Sequence, residues 1–187
     1  MAALLFAALL LAAPDPLLYW VEPCDNPATR CHADDGELAA WALRAWQNAA
    51  PPNSLKFAQA AMKSRARIRV LWASPEQGLY GEARTIWVGL SRGAEVHILP
   101  APLSTGSDPL LRDAVVYLTC LHETGHALGL PHTAAFDDIM YSFQYGGDIA
   151  EYFARYRRKL RTRADIQANA GISDADRRHL AEALGKR

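Results

Sequence analysis

The chain has 187 residues, enough for one hydrophobic core of ordinary size and short for two. Half of the residues are hydrophobic (50%) and 21% are charged, a balance that excludes an intrinsically disordered chain. A formal net charge of +0 offers no global attraction to nucleic acid or to any other highly charged partner.

The N-terminal run MAALLFAALLLAAPDP is continuously apolar until Pro14, Asp15 and Pro16 end it. It is too short to span a bilayer and matches the apolar centre of a secretory signal peptide over residues 1–13, with small residues Ala12 and Ala13 near the cut. No Lys or Arg precedes it, so a buried N-terminal segment stays open as the alternative. Export predicts a secreted or periplasmic protein. No other apolar stretch is long enough for a transmembrane segment. Cys24 and Cys31 lie close together in CDNPATRC. An exported chain could bridge them, and the alternative is two unrelated thiols. Cys120, inside a helical pattern, reads as a small buried apolar residue.

In chain order, LLYWVEP (17–23) reads as a strand ended by Pro23. DDGELAAWALRAWQNAA follows as a helix, with Leu38, Trp41, Ala42 and Ala45 at helical spacing, an Asp at its cap, and Pro51 and Pro52 behind it. ARIRVLWA (66–73) alternates Ile68, Val70 and Trp72 against Arg67, Arg69 and Leu71, as a half-buried strand does. EARTIWVGL (82–90) and AEVHILP (94–100) read as two more strands. PLLRDAVVYLTCLHETGHALGL is a long helix ending near Gly129. GDIAEYFARYRRKLRTRADI reads as one amphipathic helix, with Ile149, Tyr152, Phe153, Tyr156 and Leu160 on one face and a crowd of Arg and Lys on the rest. A last helix starts at Ser173, with Asp176 three residues on in an arrangement close to a capping box. This order predicts an α+β fold, an α/β sandwich on one mixed sheet, formed as a single domain over residues 14–187.

The chemistry concentrates in HETGHALGLPH, residues 122–132. His122 and His126 share one helix face at roughly 5–6 Å between Cβ atoms, which suits two imidazoles closing on one zinc ion. Glu123 lies one step round the helix, beside that ion and outside its ligand set. On a continued helix His132 would point away from His126 and lie more than a turn beyond it. The chain must therefore reverse. Gly129 can adopt a left-handed conformation at the helix end, and Pro131 blocks resumption. His132 can then return as a third ligand and leave a fourth tetrahedral position open. Average residue usage gives the full pattern by chance in roughly one chain of this length in 10⁵.

H-E-x-x-H-x-x-G-x-x-H resembles the metzincin zinc-protease signature. DDIMYS, with Met140 eight residues after His132, resembles the Met-turn of that clan. Within it the chain looks most like the matrixin (matrix-metalloproteinase-like) family. Thr133 resembles the Ser common there after the third histidine, and Ser142 stands where astacins and serralysins carry a zinc-ligating Tyr. The resemblance covers most of residues 16–187, and only 122–141 is specific. It implies a metzincin-like fold: a twisted mixed sheet of about four to five strands with an antiparallel edge strand, a long active-site helix, the Met-turn and a C-terminal helix. It implies a zinc endopeptidase acting on proteins or peptides, as a monomer and with no specific nucleic acid, in which Glu123 activates the attacking water. Met140 would floor the three histidines. AEVHILP would be the edge strand that pairs with an extended substrate. Tyr141 to Tyr145 would wall the pocket for the side chain after the cut, with Tyr141 and Tyr145 as substrate-binding residues.

The chain departs from the family in three places. No cysteine-switch propeptide is recognisable. No His/Asp cluster marks a structural zinc or a calcium site; calcium is possible but not indicated, and His97 reads as a satisfied, half-buried strand histidine, with His32 and His179 equally ordinary. Residues 143–170 are longer than the family norm and contain the basic helix 148–163, read as a solvated helix that packs its aromatic face, or else as a cleft-side element favouring acidic substrates. Two rival functions stand beside the protease. One is a peptidase that takes Glu151 as third ligand. The other is a catalytically silent zinc-stabilised binding module.

Overall fold

Three parallel strands and an antiparallel hairpin form the sheet that carries the site. The structure, a computed structural model, describes residues 15–75, 80–100 and 108–186; the apolar N-terminal run lies outside them. Strand β1 is Leu17–Val21, β2 Phe57–Gln59, β3 Ile68–Trp72, β4 Gly81–Val88 and β5 Ser91–Ile98. Their order across the sheet is β2-β1-β3-β5-β4, with β4 antiparallel to β5 and every other pair parallel. The fold is thus α+β with a five-stranded mixed sheet. Strand β2 was not expected, because three residues are too few for an alternation to show.

One expectation is overturned here. AEVHILP lies in β5, which pairs with β3 on one side and β4 on the other, so its backbone groups are committed to the sheet. The antiparallel edge strand is β4.

Helices α1 (Asp35–Ala49) and α2 (Pro109–Ala127) pack against each other and against one sheet face. Leu38, Leu43 and Trp46 from α1 meet Val116 and Leu121 from α2 over Val70, Val96 and Ile98, all fully buried. The Trp46 indole N–H donates to Leu121 O at 2.8 Å, satisfying the one polar atom of that ring. Asp34 occupies the cap position of α1 but makes no capping bond. Asp35, in the first turn, accepts instead from His32 N and grips Arg112 of α2 with both carboxylate oxygens, which ties the start of α1 to α2. Asp108 caps α2 by accepting from Leu110 N and Leu111 N, and Pro109 fills the first helical position.

The basic segment is not one helix. Helix α3 spans Ile149–Arg157 and α4 only Asp165–Ala168. Between them the Asp165 carboxylate accepts from Arg161 N and Thr162 N, and the Arg157 guanidinium donates to Leu160 O. These local side-chain bonds offer the backbone an alternative to helix. The aromatic face of α3 is buried through Tyr152, Phe153 and Tyr156. Many of its cations are paired within the chain: Arg155 with Asp137, Arg157 with Asp108 at 2.9 Å and Arg158 with Glu151 at 2.5 Å, followed by Arg163 with Glu37 at 2.7 Å. Helix α5, Asp174–Gly185, starts with a complete capping box between Ser173 and Asp176.

Cys24 and Cys31 are disulfide-linked with Cα atoms 5.4 Å apart, and Cys120 is a buried free thiol. His97 is half-buried but not satisfied, because its Nε2 has no hydrogen-bond partner among the described residues. Strand pairing engages its backbone, and the residue opposite it on β4 is Glu82. The Nδ1 of His179 is likewise without a partner. Among the described residues no helix is long and apolar enough to cross a membrane.

Candidate metal centre

Helix α2 ends in a Schellman turn. Gly129 has φ +95°, Gly129 N donates to His126 O at 2.9 Å and Leu130 N donates to Gly125 O at 3.0 Å. The reversal brings His132 back beside the helix. Its Nε2 lies 3.2 Å from His122 Nε2 and 3.0 Å from His126 Nε2. The other nitrogen of each helical histidine is tied to the backbone: His122 Nδ1–H donates to Ile139 O at 2.6 Å, and His126 Nδ1–H to Leu130 O at 2.8 Å. Since a carbonyl only accepts, these bonds fix both tautomers and leave both Nε2 atoms bare. Burial holds the pKa of His122 down at about 4, so it stays neutral, and burial followed by the His126 charge lowers that of His132.

With the rings neutral, these bonds leave at most one proton among the three inward nitrogens. Such a set lacks donors and fits a cation. A tetrahedral ion with Zn–N bonds of about 2.0–2.1 Å would space its nitrogens roughly 3.3 Å apart, close to what the rings present. Two other ligand-type clusters occur among the described residues, His32/Asp34/Asp35 and Cys24/Cys31/Asp35. Both depend on Asp35, whose carboxylate is held by Arg112, and the two cysteines are bonded to each other.

The loop from Thr133 to Ser142 lies against the centre, where Ile139 O holds His122. Thr133 N donates to Met140 O at 2.8 Å and Ser142 N to Thr133 O at 3.1 Å, closing the loop from 133 to 142. Met140 is fully buried against Gly125, where an added Cβ would come within 2.4 Å of its Sδ. The turn is fastened from α5: the buried Asp176 carboxylate accepts from Ile139 N at 2.8 Å and Met140 N at 3.4 Å while it also closes the capping box with Ser173 N.

Glu123 faces a cavity of about 260 Å³ bordered by Gly81, Leu118, His122, Tyr141, Tyr152 and Phe153. It is 8% exposed. Burial, and then the nearby Glu82 charge, raise its pKa from 4.5 to about 7. Tyr141 lines the cavity and donates its hydroxyl to Gly146 O at 2.8 Å. Tyr145 is not brought to the same wall: the 3-10 turn Phe143–Tyr145 directs Phe143 inward and leaves Tyr145 57% exposed. Glu151 does not join His122 and His126, since its exposed carboxylate is held by Arg158.

No protein-family model matches the chain, and no curated protein matches it either. The site thus rests on its own geometry. Four of its supports escaped the sequence reading: Gly81 beside Glu123, the carbonyls of Ile139 and Leu130, and Asp176. Only Asp176 carried a visible signal, as the third residue of the capping box.

Proposed function

We propose that the protein is a zinc-dependent endopeptidase with a matrixin-like site. The observation that carries this reading is the meeting of three Nε2 atoms beside a buried carboxylate on the wall of an open cavity. His122, His126 and His132 would hold the ion. A zinc ion there supplies Lewis acidity, polarising a carbonyl and acidifying a water.

The chain's own groups account for the rest. Glu123, with a proton affinity near neutrality, accepts the proton of the attacking water and returns it to the leaving amine. Among the described residues no strand lies beyond the outer edge of β4, which offers backbone donors and acceptors to an extended peptide. The aromatic cavity receives the side chain that follows the cut, its far wall built by Tyr152 and Phe153 of α3. The disulfide supports export to an oxidising compartment.

The test is hydrolysis of an unfolded protein by the zinc-loaded chain. Glu123→Ala is expected to retain zinc and lose cleavage, and His132→Ala to lose most of its zinc affinity. Wild-type protein that holds zinc stoichiometrically yet cuts nothing would favour the silent binding module. Full zinc affinity without His132 would overturn the ligand set.

A further inference from the structure

A separate groove of different character lies on the His126 side of β4. Between the second half of β4 and the Gly129–Pro131 reversal runs a groove of about 420 Å³, lined by Arg84, Thr85, Arg92, His126, Gly129 and Pro131. No acidic side chain lines it. It shares Arg92 with a second groove of about 590 Å³ that adds Arg67 and Lys186, with Glu182 as its single carboxylate and His179 as its imidazole.

Arg84 is paired with Glu82 at 2.7 Å. The other two arginines bond only to neutral oxygens. Arg67 donates through Nε and Nη2 to Arg92 O at 3.1 and 2.7 Å, and Arg92 donates to Thr85 Oγ1 at 3.3 Å. Among the described residues neither guanidinium lies within ion-pair distance of a carboxylate, in contrast to the arginines of α3, each of which has one. Trp87 is the cross-strand partner of Arg92 and is 70% exposed. An exposed Trp beside uncompensated Arg is the composition of a binding hot spot. The patch is also continuous with the free edge of β4 and with His126, the path an extended chain would follow.

We propose that this corner is a specificity site for acidic side chains upstream of the bond that is cut, with Arg92 as the principal contact and Arg67 beside it. The proposal rests on the protease reading. A peptide lying along β4 with its downstream side chain in the aromatic cavity carries its upstream residues past Thr85 and Trp87, where the fixed positive charge lies. A carboxylate there supplies the counter-charge that the chain itself omits.

The test uses the zinc-loaded full chain and two fluorogenic peptides identical except for a run of Glu or of Lys upstream of the cut. The Glu peptide is expected to show about 10-fold higher kcat/KM at low ionic strength, with the gap closing as salt is added. Arg92→Ala should remove most of the preference and Arg92→Glu should invert it, each variant checked for zinc content. Equal rates on the two peptides, or a preference that survives Arg92→Glu, would overturn the proposal. So would binding of Arg92-dependent character to phosphatidylserine vesicles with no discrimination between the peptides. If neither peptide is cut, the protease reading fails on its own, and anisotropy of the labelled peptides with the Glu123→Ala protein still reads the charge preference: tighter binding of the Glu peptide supports the site, and equal binding sinks it.

Discussion

A Cβ added to Gly81 would stand 2.7 Å from Cγ of Glu123 and 2.9 Å from its Oε1. The first residue of the edge strand is therefore a glycine that makes room for the carboxylate. Gly81→Ala has to displace Glu123, because Thr119 Cγ2 at 2.6 Å closes the other way out. We expect normal zinc content and a fall in kcat/KM on the order of 10²-fold, the penalty for misplacing a reacting group by about 1 Å. Undiminished kcat/KM would show that Glu123 has another productive position.

Asp176 joins the 133–142 loop to the α5 cap, beside a second link in which the Ser173 hydroxyl donates to the Asp138 carboxylate at 2.7 Å. The Asp176 carboxylate accepts from the backbone of the Met-turn and of the α5 cap while fully buried. Asp176→Ala strands those N–H groups and should cost about 3 kcal/mol by chemical denaturation. It should also weaken zinc binding by about 10-fold or more, since Ile139 O orients His122. Loss of stability with unchanged zinc affinity would confine Asp176 to the cap.

The Asp35–Arg112 pair lies between α1 and α2, with Asp35 at 0% and Arg112 at 8% exposure. Asp35→Ala leaves a buried guanidinium whose remaining carboxylate is Asp113 at 3.3 Å, and about 3–5 kcal/mol should be lost. The double change Asp35→Leu with Arg112→Met should recover most of that in the same denaturation assay. A double variant as weak as the single one would point to a specific need for the ion pair.

Glu123 also gives the metal-free protein a pH signature. Its folded pKa of about 7 lies above the ordinary 4.5, so its contribution to stability is complete below pH 4.5 and is lost as pH rises through 7. Measured in chelator, the wild type should fall relative to Glu123→Gln by about 3 kcal/mol at most between those limits. Comparing the two proteins cancels His122, whose lowered pKa removes stability in the opposite direction, as pH falls below 6.5. Parallel stability curves would mean that Glu123 is not desolvated in solution.

The three-histidine cluster was legible where its determinants are local. Gly129, Pro131 and His132 lie within a few residues of His126, and helix geometry alone requires the chain to turn there. Longer-range supports were not legible. Asp176 and Ile139 are 37 residues apart, and a capping box describes only its own helix. Alternation in AEVHILP reports which face a residue takes and is silent on whether a neighbour strand lies beyond, so the edge was assigned to β5 instead of β4. The break after Arg157 was invisible because the apolar spacing continues to Leu160 while Asp165 turns the backbone. Tyr145 is carried away from the cavity that Tyr141 and Phe143 line because the 3-10 turn separates side chains two residues apart.

The anchoring of Ile139 by α5 has a consequence for biosynthesis. All three imidazoles and Glu123 emerge from the ribosome well before residue 176, yet the carboxylate that steadies the first of those rings is then still unmade. A chain stopped or clipped between His132 and Ser173 would carry all three histidines and a loose His122. Steadying of the three-histidine cluster is therefore deferred until synthesis has passed residue 176.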